Sequence, residues 1–389
     1  MMKYLKYSVL LLSVIFLGTV QALSSSDVTS NRLSFGDGKI PYFRNIAIGS
    51  LPGRSEITTA IIVIHGTNRN AGTYYRNMRD AVSMAGRSSS MVVIAPQFLI
   101  KDDVEDSYGN DSRLFYWSSS GWKIGYKAKN HNGYSSFEIV DFIINKLKDS
   151  QHIKDVVVIG HSAGGQFVNR YGALSRSSTS PFNVKYITAN PSSYMYFDNQ
   201  RLVNGSWRVP NTNADYNEYK YGTERLSSLS YVKNKYSFNE SVYRNRKHII
   251  LLGKNDTQRS SSLDKSESAD LQGRHRLERG RTYKKHLDRH FNGHNTTVKE
   301  VPGVGHSHSG IFKSSQGRSA IFNSGGSSGS SSSSSSGGGG GECNNTNDCK
   351  AVYNGKLKQG WTVHVCNKNK NVCRCKKGNN KQLCSKVKN

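Results

Sequence analysis

The sequence predicts an α/β fold with a doubly wound, mostly parallel sheet, followed by a small disulfide-rich domain. Two observations predict the sheet: apolar, β-branched runs recur through the first 322 residues, and helical stretches separate them. The small domain is predicted by the cysteines, because all six lie within residues 343–389.

The N-terminal residues 1–22 have the pattern of a secretory signal peptide. Two lysines precede an apolar run from Val9 to Val20, and small residues up to Ala22 occupy the cleavage positions. A membrane anchor is the competing interpretation, but the run is shorter than the roughly 20 residues of a spanning helix. We therefore expect cleavage after Ala22 and a soluble mature protein that is secreted or periplasmic.

The large domain, residues 23–322, carries the strand and helix signals. Short apolar runs predict strands that begin near Ala60, Met91, Asp155, Val184 and His248. Helices are predicted over Tyr74–Ala85 and after Ser135, which forms an S-x-x-E capping box with Glu138. Because strands and helices alternate, the sheet should be parallel, and ligands should bind beyond the carboxyl ends of its strands.

A candidate nucleophile follows the strand at Asp155–Ile159. The segment "GHSAG", Gly160 to Gly164, comes next, and helical spacing resumes over Gln166–Leu174. In a G-x-S-x-G turn the small residues hold the serine at a strained apex above a helix N-terminus, which suits a nucleophile. Ser162 is that serine. The alternative is a glycine-rich turn that ends in an ordinary serine N-cap.

A serine hydroxyl needs a base, and the base needs a carboxylate to orient it. Asp256 follows the predicted strand "HIILLG", and His306 stands in the glycine-rich loop "VPGVGHSHSG". The order Ser, Asp, His agrees with that of a hydrolase elbow. Asp264 is the next candidate acid, an Asx turn is the structural alternative for Asp256, and His308 competes with His306.

The backbone N–H groups of Ala163 and Thr67 are the predicted donors to an oxyanion. The first follows the candidate nucleophile, and the second lies in "IIVIHGT", at the end of an early strand. The alternative for the second is an ordinary turn after a strand. This chemistry calls for no metal and no organic cofactor.

These motifs make the large domain resemble an α/β-hydrolase from about Ile57 to Phe322. The resemblance rests on "HGT", "GHSAGG", "LLGKNDT" and "VPGVGHSHSGIF". It implies Ser162, Asp256 and His306 as a catalytic triad, with Thr67 and Ala163 as oxyanion donors. The second histidine, His308, departs from the usual single-histidine loop. Within the superfamily, "ANPSSYMYFD" and "LQGRHRLERG" are similar to segments of exported esterases, so an ester substrate is expected.

Residues 323–342 are a flexible Ser/Gly linker by composition. Residues 343–389 hold six cysteines, which predict three disulfides in an exported module of this size; a zinc site is the alternative. The whole chain has a net charge of +27, and this tail has eleven basic residues against Asp348, a net charge of +10. With Tyr353 and Trp361, such a tail suits an anionic surface or polysaccharide, to which it would tether the large domain. No motif for specific nucleic-acid recognition accompanies the charge.

Aromatic side chains are concentrated in two segments of the large domain. The segment between Asn190 and Lys247 is dense in tyrosine, and the resemblance implies that it roofs the active site; packing within the segment is the alternative. A second cluster, Phe115–Trp122, is a candidate lining of the cleft. The leading functional prediction is an exported serine esterase acting on a polymeric or cell-wall ester. An exported peptidase or amidase, and a cationic surface-binding or antimicrobial protein with a vestigial hydrolase core, are the alternatives.

Overall fold

The structure is a computed structural model that describes residues 22–177, 179–233 and 238–323, and the backbone of three later strands. The chain divides into two compact units, Met1–Ser324 and Gly325–Asn389. The predicted signal peptide apart from its last residue, nearly all of the predicted linker and the side chains of the cysteine-rich tail lie outside the described residues. What the sequence indicates about them stays a prediction.

The first unit is built on an eight-stranded sheet whose order is β1-β2-β4-β3-β5-β6-β9-β10. Its strands are β1 (Arg32–Phe35), β2 (Gly38–Arg44), β3 (Thr59–Ile64), β4 (Met91–Pro96), β5 (Asp155–His161), β6 (Asn183–Ala189), β9 (Lys247–Gly253) and β10 (Thr296–Val301). A separate hairpin holds β7 (Arg201–Val203) and β8 (Ser206–Arg208). From β4 to β10 all neighbours are parallel, which confirms the predicted sheet.

Two strands at one edge were not predicted from the sequence. β1 pairs antiparallel with β2, and β2 pairs antiparallel with β4. Both strands contain polar residues among their apolar ones. β2 also contains Pro41, whose carbonyl oxygen accepts a hydrogen bond from Gln97 N. A strand with a proline and little apolar alternation gives only a weak strand signal.

Helices cover both faces of this sheet. The described residues form α1 (Ala71–Met84), α2 (Lys101–Ser107), α3 (Ser136–Leu147), α4 (Ala163–Leu174), α5 (Ser230–Lys233), α6 (Glu240–Asn245), α7 (Glu267–Asp270), α8 (Arg276–His290), α9 (His308–Lys313) and α10 (Ser315–Phe322). The start of α3 has the expected capping box: Phe137 N donates to Ser135 Oγ over 3.1 Å, and Ser135 N donates to Glu138 Oε2 over 2.7 Å. None of the described helices is both long and apolar enough to cross a membrane.

Successive residues of the central strand β3 point to opposite faces of the sheet and so build two cores. Ile61 packs in a cluster with Met78 of α1 and Ile321 of α10. Ile62 packs in the other cluster, with Phe167 of α4 and Ile143 of α3. All six residues of β3 are buried, as expected for a parallel strand covered on both sides.

The second unit contains a three-stranded antiparallel sheet. Its strands are β11 (Thr362–Asn367), β12 (Val372–Lys377) and β13 (Asn380–Leu383), in that order. β12 lies between the other two. The predicted disulfides involve side chains outside the described residues.

Candidate active site

A sharp turn between β5 and α4 carries Ser162. Its backbone has φ 59° and ψ −120°, a left-handed conformation that is strained for a residue with a side chain. The neighbouring glycines make the turn possible. A Cβ at Gly160 would stand 2.2 Å from Gly164 O, and one at Gly164 would stand 2.3 Å from Ile64 O. The G-x-S-x-G spacing is therefore required by the close approach of strand and helix.

His306 joins Ser162 to Asp256 through hydrogen bonds. Its Nε2 lies 3.0 Å from Ser162 Oγ, and its Nδ1 lies 2.7 Å from Asp256 Oδ2. Since a carboxylate only accepts, Nδ1 carries the proton and Nε2 is free to accept the serine hydroxyl proton. Asp256 follows β9 and His306 lies between β10 and α9. The side chains from these two loops and the elbow thus meet at the carboxyl edge of the sheet, as the topology requires.

The alternative base and acid have other partners. The ring of His308 stacks on Tyr74 with centroids 4.1 Å apart, and its Nε2 lies 3.1 Å from Asn77 Nδ2. Burial, with the neighbouring His306 and Lys313, lowers the pKa of His308 to about 4. Asp264 accepts hydrogen bonds from Lys220 and Tyr221.

Ala163 N and Thr67 N, the predicted oxyanion donors, donate no hydrogen bond to another described residue. The two loops are in contact, since a Cβ at Gly164 would stand 2.6 Å from His65 O. The loop of Thr67 is fixed by Arg69, whose Nη1 donates to Thr67 O over 3.1 Å and whose Nη2 donates to a buried carboxylate, Asp103 Oδ1, over 3.0 Å. Two amides without another partner, on loops that touch at the elbow, are available to donate hydrogen bonds to a negatively charged oxygen.

Buried histidines support both loops. The backbone N of Phe98 donates to His65 Nε2 over 2.9 Å, and burial lowers the pKa of His65 to about 3. His161, the second residue of the elbow motif, has its Nδ1 3.2 Å from the Tyr74 hydroxyl and its ring centroid 4.5 Å from that of His306. Burial, reinforced by the neighbouring His306, lowers the pKa of His161 well below its usual value. Both rings are therefore neutral packing elements.

Arg276 and Asn190 belong to the site but were not identified from the sequence. Arg276, the first residue of α8, has its Nη1 3.7 Å from Asp256 Oδ1, and both side chains are buried. Asn190 directly follows β6 and donates from Nδ2 to Gly305 O over 3.3 Å, while its Oδ1 accepts from Gly253 N over 2.8 Å. It thereby ties the histidine loop to the end of β9. No local pattern marks either residue, since both act through contacts distant in sequence.

The two aromatic segments are largely packed. In the cluster proposed as a cleft lining, Phe115, Trp117 and Trp122 are buried in the core. Trp117 and Trp122 pack against Phe98, and Phe115 packs against Trp117, so the expected cleft lining is wrong for these three rings. In the longer segment, the buried rings are Tyr194, Tyr196, Phe197, Tyr216, Tyr221 and Tyr231, while Trp207 and Tyr219 are partly exposed. Tyr236 lies outside the described residues.

No protein-family model matches the chain, and no curated protein sequence matches it. Solved structures do. The poly(aspartic acid) hydrolase-1 from Sphingomonas sp. KT-1 is 20% identical with a TM-score of 0.50, over 75% of this chain and 98% of that one. The poly(3-hydroxybutyrate) depolymerase from Bordetella parapertussis is 22% identical with a TM-score of 0.46, over 74% of this chain and 84% of that one. Together with the sheet order and the position of the elbow, the likeness to the poly(aspartic acid) hydrolase shows that the first unit has the α/β-hydrolase fold.

Proposed function

We propose that the protein is an exported serine hydrolase that cleaves carboxylic esters through an acyl-enzyme. The observation that supports the proposal most strongly is the continuous hydrogen-bonded series Asp256, His306, Ser162, with the serine on a strained elbow. This geometry is the one that activates a serine hydroxyl.

Each group has a defined part in the proposed reaction. Ser162 Oγ attacks the ester carbonyl carbon while its proton moves to His306 Nε2, and the carbonyl oxygen becomes an oxyanion facing Ala163 N and Thr67 N. The imidazolium, stabilised by Asp256, then returns the proton to the departing alcohol, which leaves an ester on Ser162. Water attacks this acyl-enzyme with His306 as base, releasing the acid and restoring the hydroxyl.

The test is hydrolysis of p-nitrophenyl butyrate by the mature protein beside Ser162→Ala and a matched control, Ser177→Ala. Ser162 and Ser177 are equally buried, at 8% exposure, but Ser177 donates its hydrogen bond to Asp141. We expect kcat to fall by several orders of magnitude in Ser162→Ala and to change little in Ser177→Ala. Equal rates in all three proteins would refute the proposed nucleophile. A matched p-nitroanilide measures the amidase alternative, because the same groups act on an amide.

We further propose that residues 343–389 tether the enzyme to an anionic polymer or surface. The support is the net charge of +10, with Tyr353 and Trp361 interspersed. The test is cosedimentation of the full chain with an insoluble anionic polysaccharide, beside a variant in which the tail lysines are glutamine. Retention by the parent chain alone, lost at high salt, supports the tether. Equal retention of both proteins contradicts it.

A further inference from the structure

Lys123 lies in a short 3-10 turn, Trp122–Ile124, that packs against α4. The residues on either side of it are buried. The ring of Trp122 lies 4.5 Å, between centroids, from that of His65 in the loop of the predicted oxyanion donor. The hydroxyl of Tyr219 donates to Ile124 O on the other side. The backbone that carries Lys123 is therefore fixed, while its own side chain remains partly exposed.

A second lysine is held close to the same turn. Arg170 of α4, which is fully buried, donates from Nε and Nη2 to Lys220 O over 3.1 and 2.9 Å. Lys220 directly follows Tyr219, which contacts the turn of Lys123. Its Nζ lies 3.2 Å from Asp264 Oδ2. Partial burial alone would raise the pKa of Asp264, but Lys220 and neighbouring hydroxyls lower it to about 2, so this carboxylate is ionised.

Around the Trp122–Ile124 turn, positively charged side chains outnumber negatively charged ones. The charges of Lys220 and Arg170 act on Lys123, opposed by that of Asp264, the carboxylate among them. That carboxylate is paired with Lys220, whereas Lys123 Nζ has neither an ion pair nor a hydrogen bond with another described residue. Burial above all, and then Lys220 and Arg170, lowers the pKa of Lys123 to about 8. An ammonium group with too few partners is stabilised by an anion that enters from solvent.

The excess charge lies beside the nucleophile helix, close to its start. Arg170 Nη1 donates over 3.0 Å to Gln166 O, and Gln166 is one turn, about 6 Å along the axis, from Ser162. The same guanidinium contacts Ser193 Oγ through Nη2 at 3.0 Å, in the loop that follows β6. Trp122, beside Lys123, contacts His65, and Arg170, which holds Lys220 O, contacts Gln166, so the backbone of both lysines is tied to segments that adjoin the elbow.

We propose that Lys123 and Lys220 form an anion subsite that recognises a carboxylate on the ester substrate. The proposal rests on the function proposed above and narrows its substrate class from esters in general to carboxylate-bearing esters. The subsite contacts a remote charge and not the reacting carbonyl. It therefore strengthens ground-state and transition-state binding alike, which lowers KM and leaves kcat little changed.

The test compares two p-nitrophenyl esters with acyl chains of equal length, the anionic monoglutarate and the neutral valerate. We expect the wild-type protein to favour the glutarate, and Lys123→Met to lower the glutarate-to-valerate ratio of kcat/KM by about ten-fold, mainly through KM. Lys123→Glu should invert the preference. The matched control, Lys129→Met, removes an exposed lysine of the same loop and should keep the wild-type ratio. A ratio that Lys123→Met leaves unchanged would overturn the proposal.

Binding measured without turnover separates this proposal from the proposed function. The monoglutarate is titrated into Ser162→Ala and into the double variant Ser162→Ala/Lys123→Met, with Ser162→Ala/Lys129→Met beside them. Binding that is weakened about ten-fold only by loss of Lys123, and that declines with salt, supports the subsite even if the wild-type protein hydrolyses neither ester. Equal binding by all three variants overturns the subsite, whatever the protein hydrolyses.

Discussion

Arg276 Nη1 lies 3.7 Å from Oδ1 of Asp256, and the two side chains are 1% and 2% exposed. The other carboxylate oxygen, Oδ2, receives His306 Nδ1. Arg276 Nη2 donates to Ser262 O over 2.9 Å, which also fixes the guanidinium. The carboxylate that orients His306 is therefore itself held by a buried cation.

We expect Arg276→Met to lower the free energy of unfolding by about 3 kcal/mol, because it leaves a buried carboxylate without its compensating cation. The turnover number for p-nitrophenyl butyrate should fall as well, since Asp256 is then less firmly oriented. Arg276→Lys keeps the charge and should recover part of both losses. Urea unfolding and steady-state kinetics measure them. Arg281→Met, which removes a half-exposed ion pair with Glu300, is the control and should cost within about 1 kcal/mol. If Arg276→Met were as stable as Arg281→Met, the role of Arg276 would be contradicted.

Substitutions of His306 and His308 should show which histidine is the base and which one only packs. His306→Ala should lower kcat by about four orders of magnitude or more, because Ser162 loses its only hydrogen-bonded base among the described residues. His308→Phe keeps an aromatic ring against Tyr74 and should stay within about ten-fold of the parent. The measurement is kcat of both variants and of the parent, on protein shown to be folded. The assignment is wrong if His308→Phe is the more damaging change.

The elbow glycine predicts a stability effect without any substrate. Gly160→Ala places a methyl group 2.2 Å from the backbone oxygen of Gly164, which cannot rotate away. Overpacking of this kind costs about 1–3 kcal/mol, and we expect a lower Tm in thermal unfolding. At Gly49 a Cβ meets nothing within 4 Å, so Gly49→Ala serves as the control and should unfold at nearly the parent temperature. Equal Tm values would show that the elbow tolerates the added carbon.

Acid should destabilise the protein through its buried histidines. The ring of His248 is stacked 4.2 Å from that of Tyr243, and burial, with Arg246 and His294, lowers the pKa of His248 to about 3. Between its ordinary value of about 6.5 and about 3, the unfolded chain binds this proton and the folded protein does not, so stability falls as pH falls. His248→Phe removes one such group. Between pH 7.5 and 5 it should lose about 2 kcal/mol less of its unfolding free energy than the parent, as measured by urea titration at both values. If His248→Phe and the parent lost the same unfolding free energy between pH 7.5 and 5, this role of His248 would be contradicted.

The sequence was most informative where local geometry determines function. The strands β3, β4, β5 and β9 are short apolar runs, and the elbow at Ser162 is encoded by glycines that the close approach of strand and helix requires. The order of Ser162, Asp256 and His306 was readable for the same reason, since each follows a strand.

Other features depend on contacts that no local pattern records. Arg276 could not be identified from the sequence, because only folding brings it next to Asp256. Lys123 and Lys220 were two lysines among many until the packing of the Trp122–Ile124 turn on α4 brought them together. The tyrosines of the inserted segment illustrate a further limit: residue type alone does not distinguish a ring that packs in the core from one that lines a cleft.

Trapping the acyl-enzyme tests the role of Ser162 as nucleophile most directly. The mature protein is mixed with a fluorophosphonate and, separately, quenched in acid during turnover of a p-nitrophenyl ester, and intact and peptide masses are measured. We expect one added group per chain, on the peptide that carries Ser162, and none in Ser162→Ala or in unfolded protein. Hydrolysis of the ester with no adduct on Ser162, or an adduct on another serine, would contradict it.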